Sequence, residues 1–334
     1  MALKVDILVP LSWQQISGGN HYNLDLADSL TKKGQHVRLI PYAHDTPYRP
    51  RVEPDFVFVD SILSGLWLHE SIKAPCIGFI HLPKSFIKTS SSKHDRTLKE
   101  DKEFFASLDA CIFVSRHSQK QALNSFDFKG PSWVLEPGRI KVGALGLEPS
   151  QDVSTLRLLN VGRLDDNKNQ AEIVHWLGSY AHKFPKRSWS MTFCGPQCSD
   201  YYERKMKPLI EKYELQNRVC WLGPIPKGEV PKLYSKNDCY LCSSRYESWG
   251  IALMDAMGHG LAVLNTAKGG AQELTELAQG FSVNSPEDFS VYMEYLFNPK
   301  HLNLSKKNSY QGFVQLATWD QQAEKLLKWL ETFQ

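Results

Sequence analysis

The chain has 334 residues, of which 42% are hydrophobic and 22% charged, and this ordinary composition excludes a disordered chain, a coiled coil and a fibrous protein. No apolar run approaches the roughly 20 residues of a membrane span, which argues against an integral membrane protein, and the N-terminus does not resemble a signal peptide. The net charge of +3 is too small to indicate nucleic-acid binding by bulk charge. The length predicts about two domains, and the odd number of cysteines, seven, predicts reduced thiols in a cytoplasmic protein.

Short apolar runs alternate with segments of helical periodicity in the first half of the chain. The clearest helical segment is 22–33, where Leu24, Ala27 and Leu30 recur at helical spacing and Gly34 ends the pattern. The predicted strands are 5–11, 36–42, 56–59, 76–80 and 110–114. Strands that alternate with helices indicate a parallel sheet covered on both faces.

The same alternation restarts in the second half. The predicted strands are 158–161, 190–194, 219–222, 239–242 and 262–264, and the predicted helices are 168–183, 201–213, 229–236 and 251–259. The polar segment 143–155 is rich in Gly, Pro and Ser, and it is the predicted domain boundary. We therefore predict two doubly wound, Rossmann-like domains, 1–150 and 151–317, that face a central cleft.

An amphipathic helix is predicted at the C-terminus, within 318–334. One face of it carries Ala323, Leu326, Leu327, Leu330 and Phe333, and a helix with such a stripe must bury it. The sequence leaves open whether the helix lies on the second domain or crosses back to the first.

Two glycines, Gly18 and Gly19, follow the first predicted strand and precede a helix. Such a turn allows the backbone to approach a ligand closely, and the N–H groups of the first helical turn favour an anion. For two glycines alone, a plain tight turn is the simpler interpretation.

Two basic residues flank the start of the first predicted helix in the second half. Arg163 follows a strand and Lys168 lies where the helix begins, and this combination suits a diphosphate. Taken alone, the pair is equally well explained as solvated surface cations.

Two carboxylates follow the predicted strand 239–242. Glu247 precedes a helix that starts near Ile251, and Asp255 lies eight residues further along. Carboxylates at such a junction can accept hydrogen bonds from the hydroxyls of a ribose or a hexose. Separately, each has a simpler interpretation, a capping Glu and a surface Asp.

The segment 158–274 resembles the donor domain of retaining glycosyltransferases of the GT-B fold, in the large family 4 (glycosyl transferases group 1). That family shows Gly-Arg-Leu, then Lys-Gly or Lys-Asn, then Glu-x-Phe-Gly with a second Glu further on, and then Gly-Gly-x-x-Glu. The matching residues are, in the same order, Gly162-Arg163-Leu164, Lys168-Asn169, Glu247-Ser248-Trp249-Gly250, Asp255 and Gly269-Gly270-Ala271-Gln272-Glu273. The glycine pair at 18–19 and VLEPG at 134–138 extend the resemblance over most of the chain.

The resemblance implies roles for these residues. Arg163 and Lys168 would bind the donor diphosphate, Glu247 would bind hydroxyls of the transferred sugar, and Asp255 would stand where the family's second Glu holds the ribose. His81 matches a family histidine beside the sugar and the acceptor hydroxyl, although alone it is more simply a half-buried, satisfied histidine. The implied catalytic residues are Glu247, His81, Arg163 and Lys168, and the implied donor-binding residues are these cations and Glu247 together with Gly18, Gly19, Gly162, Ser248, Trp249, Gly250, Ile251 and Asp255.

The implied reaction moves a hexosyl unit from a UDP- or GDP-linked sugar to a hydroxyl acceptor with retention of configuration. The resemblance implies no catalytic metal and no cofactor besides the nucleotide-sugar co-substrate; the chain has no Asp-x-Asp triplet, the usual signature of the metal-dependent alternative fold. The expected partners are this donor and a saccharide, lipid or small-molecule acceptor. A homodimer is a further expectation. Contact with the inner membrane face, through the basic loop 84–99, is another. A solvated loop is the simpler interpretation of 84–99.

Two departures from the family pattern matter for function. Asp255 replaces Glu and has a shorter reach, and Trp249 replaces Phe, so a larger wall near the sugar or the base is expected. The alternatives are a GT-B epimerase or phosphorylase, and a sugar-nucleotide-binding subunit with weakened catalysis. A zinc site at Cys239 and Cys242, or at Cys194 and Cys198, is a remote alternative.

Overall fold

The computed structural model describes residues 2–13, 18–43, 48–67, 72–86, 91–140, 153–266 and 268–333. The chain divides into two units, Met1–Ile140 with Ala317–Gln334, and Lys141–Leu316. The predicted boundary segment 143–155 lies outside the described residues except for its last three.

The first unit contains a six-stranded parallel sheet. Its elements are β1 (Lys4–Pro10), α1 (Gly18–Lys32), β2 (His36–Tyr42), β3 (Phe56–Asp60), β4 (Cys76–Ile80), α2 (Ser91–Ala106), β5 (Ala110–Phe113), α3 (Arg116–Phe126) and β6 (Ser132–Val134). The strand order is β2-β1-β3-β4-β5-β6, and every neighbouring pair is parallel. All residues of β3, β4 and β5 are buried, which explains their uninterrupted apolar runs.

The C-terminal helix, Trp319–Leu330, belongs to the first unit and packs on α1. Its residues Ala323, Leu326 and Leu330 are fully buried. Gln322 donates a hydrogen bond to the carbonyl of Glu136 at 2.8 Å. Of the two positions that the sequence left open for this helix, the structure therefore shows the return to the first unit.

The second unit contains another six-stranded parallel sheet, in the order β14-β12-β10-β7-β8-β9. Its strands are β7 (Leu156–Val161), β8 (Trp189–Cys194), β9 (Val219–Trp221), β10 (Cys239–Cys242), β11 (Tyr246–Glu247), β12 (Ala262–Asn265), β13 (Lys268–Gly269) and β14 (Phe281–Ser282). Its helices are α4 (Gln170–Lys183), α5 (Lys207–Lys212), α6 (Val230–Ser235), α7 (Ile251–Gly258), α8 (Gly270–Leu277), α9 (Pro286–Leu296) and α10 (Pro299–Gln315). The pair β11–β13 forms a separate two-stranded ribbon.

Two predicted elements differ from the structure. The predicted helix 201–213 is divided into a π-helical segment, Tyr202–Met206, and α5, because Pro208 has no N–H and fits only the first turn of a helix. The predicted loop 84–99 is wrong from residue 91 onward, where α2 begins, and residues 87–90 lie outside the described part. Pairs four residues apart, such as Arg96 with Glu100 at 2.8 Å, support α2 on its charged face.

Across the described ranges, no helix combines the length and the apolar character that crossing a membrane requires.

Candidate functional site

The carboxyl ends of β7 and β8 meet at one edge of the second sheet. The N–H of Gly162 donates to the carbonyl of Cys194 at 2.9 Å. At Gly195, where φ is +141°, a Cβ would lie 2.2 Å from the carbonyl oxygen of Gly162. Glycine at position 195 thus lets the two turns pack together, and this packing places Arg163 at the edge of the sheet.

The turn from Arg163 to Lys168 is organised by the carboxylate of Asp165. One oxygen of Asp165 accepts a hydrogen bond from Nε of Arg163 at 2.7 Å, and the other accepts from the backbone N–H of Lys168 at 2.8 Å. The Arg163 side chain is 54% exposed. Because Asp165 occupies only Nε, the outer N–H groups of the guanidinium remain for an anionic ligand.

Lys168 and Glu247 form an ion pair across the ends of β7 and β10. Nζ of Lys168 donates to Oε1 of Glu247, and the hydroxyl of Ser244 donates to the same oxygen at 2.6 Å. The side chains of Lys168 and Glu247 are 30% and 16% exposed. Burial lowers the pKa of the Lys168 ammonium, but the charge of Glu247 and its hydrogen bond outweigh burial, so the pKa lies above its usual value and the cation persists.

The ribbon β11–β13 fixes the backbone of Glu247. In this ribbon Glu247 pairs with Gly269, where φ is +98°. A Cβ at position 269 would lie 2.2 Å from the carbonyl oxygen of Glu247. The first glycine of the second pair therefore acts by letting two backbones approach, and Gly270 begins α8.

Trp249 packs inside the second unit. Its side chain is 3% exposed, and its indole N–H donates to the sulfur of Met254 at 3.5 Å. The indole thus contacts Met254 of α7, and the expectation of a larger wall near the sugar or the base stays a prediction. Ser248 and Gly250 beside it are partly exposed, and Gly250 caps α7 with φ at +102°.

Asp255 and Ile251 are partly exposed residues of α7. The carbonyl of Asp255 accepts a hydrogen bond from the N–H of His259 at 3.1 Å. Burial, and to a smaller extent the charge of Asp255, raises the pKa of Tyr234. Asp255 thus lies near a buried phenol, and its place in the site stays a prediction.

Of the predicted residues of the first unit, Gly19 lies against His81, which follows β4. Gly18 begins α1, and a Cβ on Gly19 would lie 3.2 Å from Cδ2 of the His81 ring. Nε2 of the ring lies 3.0 Å from Oδ1 of Asn23, and the backbone N–H of His81 donates to the hydroxyl of Ser61 at 3.0 Å. Burial lowers the pKa of His81, although the charge of Asp60 opposes this.

Sequence reasoning missed four partners of the predicted residues, namely Asp165, Ser244, Asn23 and Asp60. Asp60 could have been predicted from the sequence, because it ends β3, the strand next to β4 in the sheet. The carboxyl ends of neighbouring parallel strands meet at one edge.

Among the described residues, no group of three His, Cys, Asp or Glu side chains is placed to hold a metal ion. Cys239 and Cys242 are both buried in β10, three positions apart, so that they point to opposite faces of the sheet. Burial, followed by the charge of Glu247, raises the pKa of the Cys242 thiol to about 12. A thiol with such a pKa is a poor metal ligand near neutral pH.

Comparison with known proteins relates both units to one class of enzymes. Residues 151–315 match the family model described as glycosyl transferases group 1. Mannosylfructose-phosphate synthase from Agrobacterium fabrum is 24% identical over 182 residues, which are 52% of this chain and 40% of that protein. The gpi3 subunit of phosphatidylinositol N-acetylglucosaminyltransferase from Schizosaccharomyces pombe is 25% identical over 313 residues, 85% of this chain and 66% of that protein.

Solved structures resemble the whole chain. Sucrose-phosphate synthase from Thermosynechococcus elongatus superimposes with a TM-score of 0.80 at 16% identity and covers 98% of each chain. HepE from Anabaena, in complex with UDP and glucose, gives a TM-score of 0.73 at 15% identity and covers 99% of this chain and 100% of that chain. The fold, two Rossmann-like units with parallel sheets, is therefore that of the GT-B glycosyltransferases. The chain spans less than half the length of several curated relatives that it matches, such as 40% of the A. fabrum protein.

Proposed function

We propose that this chain is a retaining hexosyltransferase, on the premise that residues 151–315 match the family model of glycosyl transferases group 1. It moves a hexosyl unit from a UDP- or GDP-linked sugar to a hydroxyl acceptor. The observation that carries the proposal is the set of Arg163, Lys168 and Glu247 at the carboxyl edge of the second sheet, where parallel α/β folds bind ligands.

The two cations suit a diphosphate leaving group. Negative charge builds on the departing phosphate in the transition state, and preorganised cations that face this charge lower the barrier. Arg163 presents the donors of its outer guanidinium edge, and Lys168 presents a partly buried ammonium whose pKa is held up by Glu247. The two cations thus supply the charge compensation, and we propose no resident metal or other cofactor.

Glu247 suits the sugar. Its carboxylate has Oε1 engaged by Lys168 and Ser244, which fixes its orientation, and carboxylates accept strong hydrogen bonds from hydroxyls. The same carboxylate holds Lys168 toward the diphosphate. A single ion pair therefore couples the position of the transferred sugar to the position of the leaving group.

The relatives support this assignment. The relatives include a mannosylfructose-phosphate synthase and a phosphatidylinositol N-acetylglucosaminyltransferase subunit, and the HepE structure contains UDP and glucose. These proteins are named for different acceptors, and what they have in common is the transfer of a sugar.

The first test is a thermal-shift panel of UDP, GDP and their hexose conjugates at millimolar concentration. We expect one nucleotide to raise the Tm and Arg163→Ala to abolish the rise, because the diphosphate loses a charge-assisted, bidentate partner. Arg187→Ala is the matched control: Arg187 is 45% exposed, is paired with Glu294 at 2.7 Å, and lies beyond the other end of α4. This control should keep the full shift.

No shift with any nucleotide, or an equal loss of the shift in both variants, would contradict the proposed donor site. The second measurement is hydrolysis of the nucleotide sugar that gives the largest shift, which requires no acceptor. Donor binding without hydrolysis, and without transfer to any of a panel of hydroxyl acceptors, would contradict the catalytic part of the proposal.

A further inference from the structure

A buried chain of hydrogen bonds in the first unit ends at His81. The buried carboxylate of Asp60 accepts from the backbone N–H of Ile62 at 2.9 Å through one oxygen. Its other oxygen accepts from Nδ2 of Asn23 at 2.7 Å. Oδ1 of Asn23 then lies 3.0 Å from Nε2 of His81.

The polarity of this chain follows from its first member. A carboxylate only accepts, so the Asn23 amide must turn its NH2 group toward Asp60 and its oxygen toward His81. An oxygen that faces Nε2 requires a proton on Nε2. In a neutral imidazole the other nitrogen, Nδ1, then carries a lone pair.

Nδ1 is open to a ligand. It has no hydrogen-bond partner in the described part of the chain, and it is not fully enclosed. The His81 side chain is 15% exposed. Gly19 lies against the Cδ2 and Cγ atoms of the ring and not against Nδ1. Burial lowers the pKa of His81, so the ring is neutral near neutral pH.

We propose that Asn23 and Asp60 are positioning residues, which hold His81 with its proton on Nε2 so that Nδ1 accepts a hydrogen bond from a substrate hydroxyl. The role in turnover rests on the proposed function, whereas the protonation pattern does not. The Tyr22 ring, on α1, packs nearly perpendicular to the His81 ring, with 5.0 Å between the two ring centroids. This contact holds the plane of the His81 ring. The substrate group at Nδ1 is therefore a hydrogen-bond donor, as a sugar hydroxyl is, and not an anion.

The direct test is the tautomer of His81, measured by long-range proton–nitrogen NMR on protein labelled at histidine. The His81 signals are identified by their absence in His81→Ala. We expect the Nε2–H form in the unsubstituted protein. The Nδ1–H form, or a charged ring at neutral pH, would overturn the proposal.

Asp60→Asn gives a sharper result because it changes one atom and little volume. The new side chain can still accept from the N–H of Ile62, but its NH2 group then faces Asn23. The Asn23 amide must turn round and donate to Nε2, and the proton moves to Nδ1. We expect this variant to invert the tautomer, and an unchanged tautomer would overturn the proposed chain.

Tyr22→Phe is the matched control. Tyr22 is next to Asn23 on α1, and its buried hydroxyl donates to the carbonyl of Leu135 at 2.9 Å, outside the chain that ends at His81. The variant loses a buried hydrogen bond but keeps the ring against His81, so its tautomer should stay Nε2–H. If Tyr22→Phe changed the tautomer as much as Asp60→Asn does, any disturbance of the packing around His81 would be sufficient. That result would overturn the specific role of the Asp60 carboxylate.

Turnover provides the last readout. We expect Asn23→Ala and Asp60→Asn to lower kcat for donor hydrolysis on the order of 10-fold or more, with little change in the KM for the donor. Full kcat in both variants, together with an altered tautomer, would overturn the role of Nδ1. If no nucleotide binds, the proposed function fails while the tautomer still tests the positioning of His81.

Discussion

At the scale of single residues, the site is built from opposite charges placed in pairs. Arg163 is held by Asp165 and Lys168 by Glu247, so each cation has a partner in the absence of ligand. A partly exposed ion pair costs little free energy to form. It also fixes the direction in which the other N–H groups of the cation point. A diphosphate can then bind the cations without reorganising the backbone, since Asp165 also holds the N–H of Lys168.

Glu247→Gln should separate binding of the nucleotide from turnover. UDP or GDP has no transferred sugar, so the thermal shift by the free nucleotide should persist in the variant. Gln still accepts a hydrogen bond from the sugar hydroxyl but without the charge, so the bond should weaken by about 0.5–1.5 kcal/mol, which lowers turnover roughly 2- to 13-fold. Donor hydrolysis and thermal shift are measured on the same preparation.

The matched control for this prediction is Glu294→Gln. Glu294 also pairs with a cation, Arg187, and is 29% exposed, but it lies in α9, outside the candidate site. Turnover should be unchanged in this variant. An equal loss in both variants would show that removing any paired carboxylate from the second unit is sufficient, and would contradict a contact between Glu247 and the sugar.

Sequence reasoning named the charged residues of the candidate site but not the side chains that hold them. Arg163, Lys168 and Glu247 stand at spacings typical of a known family, and the structure brings them together. Asn23, Asp60 and His81 are separated by tens of residues and meet only because β3 and β4 are neighbours in the sheet. Contacts of that kind depend on strand order, which a single sequence does not specify.

At the scale of elements, the ribbon β11–β13 shows how backbone geometry places the carboxylate that we propose binds the sugar. Glu247 lies in a strand of two residues, which on its own is too short to be stable. It is held by pairing with Gly269 and by the side chain of Asn167, which donates to the carbonyl of Tyr246 at 3.1 Å. The glycine pair after β12 therefore serves the position of Glu247.

Gly269→Ala should destabilise the second unit and lower turnover. A Cβ would lie 2.2 Å from the carbonyl oxygen of Glu247, and the residue would keep a φ of +98°, so β11 must shift. Strain of this kind costs about 1–3 kcal/mol, and each kcal/mol corresponds to about 2–4 °C in the Tm of a unit of this size. The measurements are the Tm and the rate of donor hydrolysis.

Gly223→Ala is the control for backbone strain alone. Gly223 also has a positive φ, +70°, but a Cβ there would meet nothing within 4 Å. The variant should lose less stability and keep its turnover. If the two variants lost the same stability and both kept full turnover, the close approach of Gly269 to Glu247 would not be needed for turnover.

The strands were easier to predict than the helices. Buried parallel strands such as β4 and β10 have the bounds that their apolar runs predicted, because burial on both faces leaves an uninterrupted signal. The segment 91–99 was mistaken for a loop because α2 has a largely charged surface in its first turns. Its buried aromatic side chains, Phe104 and Phe105, come at its end, and before them, among its described side chains, only Leu98 packs, partly buried, against the same cluster.

At the scale of the whole molecule, the C-terminal helix joins the end of the chain to the first unit. The helix begins with a capping box at Thr318 and Gln321, and Lys33 donates to Glu324 at 2.6 Å. A Cβ on Gly138 would lie 2.5 Å from the backbone of Trp319, so the segment 134–138 needs glycine where the helix starts. The stability of the first unit therefore depends on residues that lie almost two hundred positions beyond its last strand.

Leu326→Ala should destabilise the first unit and spare the second. Leu326 is fully buried in the C-terminal helix, and removal of a buried leucine side chain costs about 2–5 kcal/mol. Amide hydrogen exchange should become faster in α1, β1 and β3, while β7, β8 and β10 exchange as slowly as before. The nucleotide should still slow exchange in the second unit.

Leu327→Ala, at the neighbouring and only partly buried position, should change exchange much less. Equal deprotection of the strands of both units by Leu326→Ala would mean that the helix stabilises the chain as one cooperative body, and that the division into two units has no thermodynamic counterpart.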